Sequence, residues 1–143
     1  MNLQELEAVL EREPLLGDTG FIYRGNRQDN NNPADLAKNR QHFLLYPDLD
    51  ILTKVEDVLR ELPRTKHVAS GYSYHLKHVA ERLIGEYVSN GQLIAVALHL
   101  GFQREIDGPN CTFNMFARDV KRLDKLSHSV QAEDREAMSR VAL

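Results

Sequence analysis

The chain of 143 residues has a formal net charge of −3, with 42% apolar and 27% charged residues and no tryptophan. That length suits one domain able to bury roughly two-thirds of its surface, and the acidic balance argues against holding nucleic acid by bulk electrostatics, which needs an excess of lysine and arginine. Its single cysteine, Cys111, excludes an internal disulfide and a cysteine-based zinc site.

Asn2, with Glu5 three residues on, makes a capping box, and Leu3, Leu6, Val9 and Leu10 recur on one face. A helix is therefore expected over about 2–13, ended by Pro14, which drives Glu13 out of the helical region. The same opening residues lack the basic and apolar stretches of a secretory signal, so a cytoplasmic location with no membrane partner is expected. Gly20–Tyr23 suits a short strand. Arg24–Asn32 is polar, includes three consecutive asparagines and reads as an exposed loop. Asn32-Pro33 matches an N-cap followed by proline at the first helical position, giving a short helix over about 33–40. His42–Tyr46 fits either a strand or a buried loop. Leu52, Val55, Leu59 and Leu62 then line a helix over about 48–62, with Ile51 and Val58 widening the stripe and Asp50/Lys54 and Glu56/Arg60 in the favoured order. Pro63 stops it, and 63–70 reads as a connector.

The next stretch carries the fullest punctuation. Ser73 is expected to cap a helix over about 73–84, with Leu76, Val79, Ala80, Leu83 and Ile84 on one side and Gly85 at the end. Ser89 with Gln92 forms a second capping box, Val88 and Leu93 sit where a hydrophobic staple closes, and Gly101-Phe102 suits a left-handed C-terminal cap. A helix over about 89–100 follows, and its apolar run Leu93–Leu98 is far shorter than the ~20 residues that cross a bilayer. Asp107-Gly108-Pro109-Asn110 turns a β-hairpin over about 102–116, in which Phe102, Ile106, Cys111, Phe113 and Met115 alternate with polar neighbours. Helical spacing returns over about 117–126 through Val120, Leu123 and Leu126. Residues 127–143 form a polar tail, either docked as a helix or loose. The expected fold is α-dominant α+β: a single compact domain over 1–126, built on a helix-turn-helix-like pair and a ribbon in the order of a winged helix.

Groove reading by the 89–100 helix would need arginine or lysine, asparagine or glutamine on its outer face. It has no arginine or lysine, and Gln92, Ala95 and His99 leave only a thin polar strip, so it reads as a buried rod. His75, His78 and Arg82 share the polar face of the preceding helix. They could meet an anion or an acidic partner; with Glu81 and His99 they could hold a metal or act as a base, but that needs two helices to converge, and no metal is expected. The bland alternative is a solvated face crossed by Lys77/Glu81 and Arg82/Glu86 pairs. Arg118, Lys121, Arg122 and Lys125 recur at helical spacing as a basic stripe able to grip phosphates or an acidic protein surface, diluted by Asp119 and Asp124.

Tyr23-Arg24-Gly25 resembles the Tyr-Arg-Gly strand of arginine-specific ADP-ribosyltransferases. Their Glu-x-Glu loop is met only by Glu5-Leu6-Glu7 and Glu11-Arg12-Glu13, both ahead of the strand, so no residue is carried over. Cys111 reads as a small core residue, and the glycine-rich phosphate-binding and serine-nucleophile motifs are missing. No catalytic residue or cofactor is expected. The favoured reading is a cytoplasmic interaction or regulatory protein that binds a protein or nucleoprotein partner through His75, His78, Arg82, Arg118, Lys121, Arg122 and Lys125. The alternatives are a winged-helix-like DNA-binding regulator and a phage- or plasmid-encoded inhibitor that blocks a nucleic-acid enzyme with acidic surface.

Overall fold

The computed structural model describes residues 1–23 and 32–141, and among these it holds six helices and two small antiparallel sheets in an α-dominant α+β arrangement. The loop expected over 24–32 lies, apart from Asn32, outside the described residues. Helix α1 (Leu3–Arg12) opens on the expected capping box, with the Asn2 side chain accepting from the Glu5 amide and the Glu5 carboxylate accepting from the Asn2 amide. Strands β1 (Leu16–Gly17) and β2 (Gly20–Phe21) form a tight two-stranded turn. Helix α2 runs over Pro33–Leu45, five residues beyond the expected end, so 42–45 is helical rather than strand or loop. Only Phe43 of α2 is buried, which leaves no apolar stripe to mark its length. What holds α2 is long-range: the Arg40 guanidinium donates to the carbonyls of Leu10, Glu13 and Leu16 at 2.6–2.8 Å, tying α2 to the end of α1.

Helix α3 (Leu49–Leu59) buries Ile51, Leu52, Val55 and Leu59. The segment expected to be a plain connector ends in strand β3 (Ser70–Tyr72), and helix α4 (Ser73–Ile84) follows directly. Ser73 is not a cap. It lies inside the first turn, fully buried, and its hydroxyl accepts from the Cys111 amide at 3.1 Å, joining α4 to the hairpin. Helix α5 (Asn90–His99) begins with the second capping box, and strands β4 (Arg104–Asp107) and β5 (Asn110–Asn114) form the hairpin. The larger sheet has the order β3-β5-β4. Ile106, expected to point inward, is 38% exposed because β4 is an edge strand. Helix α6 (Ala117–Val141) is a continuous 25-residue rod, so the segment read as a tail from Ser127 continues the helix, with no proline or glycine to stop it.

The centre of the molecule is α5. Every residue from Asn90 to Ala97 is buried, Leu98 packs against the core, and α1, α3 and α4 all pack on this helix. Its amino end is gripped by the β1–β2 turn. The Gly91 amide donates to the Asp18 carbonyl at 2.8 Å, and the Ser89 hydroxyl donates to the Asp18 carboxylate at 2.7 Å. A Cβ at position 91 would lie 2.1 Å from the Gly17 carbonyl oxygen, so this approach of two backbones requires glycine. No helix among the described residues is long and apolar enough to cross a membrane.

Candidate functional site

The seam between α4 and α6 gathers three of the seven residues picked out by charge, His75, His78 and Arg82. Asp119, Val120 and Ser127 are the buried residues of α6, and Leu123 is partly buried against the core. Between them Asp124 acts as a hub. Its Oδ1 accepts from Arg82 Nη2 at 2.7 Å and lies 3.7 Å from Nε2 of both His75 and His128. Arg82 also donates through Nε to the Ser127 hydroxyl at 2.9 Å, which leaves its side chain only 18% exposed. The face carrying His75, His78 and Arg82 therefore borders α6, with Arg82 turned fully toward it. Arg82, expected at a partner-facing surface, has intramolecular partners, whereas His75 and His78 stay roughly half-exposed at the rim.

Next to this cluster on α4, His78 Nδ1 is 3.1 Å from Glu81 Oε2 and the Tyr74 ring stands edge-on to the imidazole. Burial works to raise the Glu81 pKa, but the Lys77 ammonium, the Val88 amide and His78 outweigh it and hold the carboxyl below its ordinary value. Lys77 is buried under the Tyr87 ring, 4.7 Å from its centroid. His78, Glu81, Arg82, Glu86, Tyr87 and His128 line an open cleft of about 510 Å³. Its fixed charges are internally balanced: Arg82 by Asp124, Glu81 by Lys77, and Glu86 by Lys54 at 2.6 Å. Such a wall offers a ligand little uncompensated charge.

His99 does not join the other histidines. Its Nε2 lies 2.9 Å from Glu5 Oε2 and 3.5 Å from Glu56 Oε1, bridging α5 to α1 and α3. Among the described residues no group of three His, Cys, Asp or Glu side chains is placed to hold a metal ion. Cys111 is fully buried on β5, and burial pushes its thiol up to about 12, so it stays protonated at neutral pH.

The basic stripe is placed quite differently. Arg118, Lys121, Arg122 and Lys125 are all exposed on α6, pointing away from the body. Arg118 lies over the Phe116 ring at 4.8 Å, and Arg122 Nη2 reaches Asp119 Oδ1 at 3.3 Å, yet their side chains remain 78% and 71% exposed. Beyond Gln131 the helix leaves the body: every residue of 132–141 is exposed, including Met138 and Val141 at 70% and 82%. Sequence reasoning found the stripe but missed the hub. Asp124 was legible only as an acid diluting the stripe, although its match to the His75/Arg82 face was a signal that the two helices meet. The chain matches no family model, no curated protein and no solved structure.

Proposed function

We propose that this is a small interaction or regulatory protein that docks a protein partner carrying acidic surface on the outward face of α6, with Arg118, Lys121, Arg122 and Lys125 as its contacts. The observation that carries this reading is the division of labour on one helix. One face of α6 is committed to the body through Asp119, Val120, Asp124 and Ser127, while four cations stand exposed on the other. An array of exposed charge on a fixed helix steers association and sets partner choice more than it adds stability. His75 and His78 border the same seam, and Arg82 supports it indirectly by holding Asp124. Base reading by α5 is not favoured, because a recognition helix must expose its side chains and Asn90–Ala97 are buried.

The test compares proteins captured from native cells by the wild type and by the double variant Arg122→Glu/Lys125→Glu, quantified by mass spectrometry. The partner should fall by about tenfold or more in the variant, since two like charges replace two complementary ones. Equal capture by both would refute the surface.

A further inference from the structure

The outward face of α6 has a charge order of its own. Successive residues of an α-helix turn by about 100°, so runs of positions three or four apart stay close to one strip. Arg118, Arg122, Lys125, Ser129, Glu133 and Glu136 form such a strip, and all are exposed. It lies on the side opposite Val120, Leu123 and Ser127, which face the body. Before Ser129 the strip is basic; in the two turns after it, it is acidic.

From this we infer that the partner of the stripe is a second copy of the same chain, its α6 lying antiparallel to the first about a two-fold axis at Ser129. The inference rests on the reading of α6 as a docking surface and names its occupant. A parallel copy would set like charge on like. An antiparallel copy brings Lys125 level with Glu133 of the second copy, and Arg122 level with its Glu136, each pair occurring twice by symmetry. Ser129 at the axis is small enough for close approach. Beside it Leu126, 52% exposed, comes level with Ala132 of the second copy and adds apolar contact. At the rims Arg118 comes level with Arg140, like charge on like, and each has an acidic neighbour in its own chain, Asp119 at 4.0 Å and Glu136 at 2.7 Å, Glu136 being shared with Arg122 of the second copy. The body packs on the side of α6 away from the strip, through Val120, Leu123 and Ser127, which leaves the strip open to a second copy. A contact of one helix per copy, led by exposed ion pairs, is weak and salt-sensitive.

Sedimentation velocity on the full chain tests this. The wild type should self-associate to a dimer at low salt, with affinity falling about tenfold or more as salt rises from about 20 mM to about 500 mM. Arg122→Glu/Lys125→Glu makes the strip acidic on both sides of Ser129, with Arg118 alone left basic at its rim, and Glu133→Lys/Glu136→Arg makes it basic, so each alone should be monomeric. An equimolar mixture of the two should form a heterodimer. A monomeric wild type at low salt and high concentration would overturn the inference, as would a dimer indifferent to either variant. The two readings separate cleanly. Glu133→Lys/Glu136→Arg keeps the basic stripe, so a foreign acidic partner would still be captured after self-association is lost. A wild type that never dimerises but loses a foreign partner on Arg122→Glu/Lys125→Glu would sink this inference alone.

Discussion

Helices α5 and α6 solve opposite problems with the same backbone. The ten residues of α5 are apolar on nearly every side, so the helix is stable only where other elements enclose it, and α1, α3 and α4 do so. The 25 residues of α6 bury only Asp119, Val120 and Ser127, and every residue of the last third of the helix is exposed. The inner helix therefore lies at the centre of the apolar core, while the outer one carries, on its outward face, charge that the core does not use. That asymmetry predicts where substitutions are felt.

The largest effect should come from the inner helix. Leu93→Ala empties a fully buried site and should cost about 2–5 kcal/mol in denaturant unfolding; a loss below about 1 kcal/mol would mean that α5 is not the core. At the joint between the two regions, Asp124→Ala strips Arg82 of its carboxylate and frees the α4–α6 seam. The expected loss is about 1 kcal/mol, because a charged hydrogen bond is worth more than a neutral one but this pair is partly solvated. An unchanged midpoint would show that the hub is incidental.

Acidification sharpens the same contrast. Glu81 beside α5 and Glu56 on α3 are both held below their ordinary value of 4.5, Glu81 by Lys77, Val88 and His78 against the effect of burial, and Glu56 chiefly by the Met1 ammonium at 2.6 Å. A carboxylate whose pKa is lowered by folding adds stability above its unfolded value and loses it as pH falls through the folded one. Stability should therefore drop below about pH 4.5, and Glu81→Gln should be less stable at neutral pH and lose less on acidification than the wild type. Parallel pH profiles for the two proteins would contradict this. The smallest effect belongs to the outer face, where Arg122→Glu/Lys125→Glu should move stability by no more than about 0.5 kcal/mol. A larger change in the melting curve would mean that the stripe is structural.

The inner region was readable in the sequence because its signals are local. The capping boxes at Asn2 and Ser89 form as their spacing predicts, and the lack of lysine or arginine in α5 marks it as interior. Gln92, assigned to a polar strip, is buried nonetheless, and donates to the Pro47 carbonyl as well as closing its cap. What escaped is what only tertiary contact decides. Strand β3 buries Gly71 alone between exposed neighbours and exists because β5 pairs with it. The carbonyl clamp of Arg40, the use of Ser73 against the hairpin and the convergence on Asp124 all join residues distant in sequence. The reach of α6 past Leu126 was hidden for the opposite reason, since a polar helix without a partner looks like a polar tail.

Native-state hydrogen exchange tests the contrast between the two helices most directly. Amides of Leu93 to Leu98 should exchange only through global unfolding, with protection equal to the full stability measured by denaturant, while amides of 132–141 should exchange through local opening at a small fraction of that free energy. Comparable protection in both segments, or weaker protection in α5, would contradict the account.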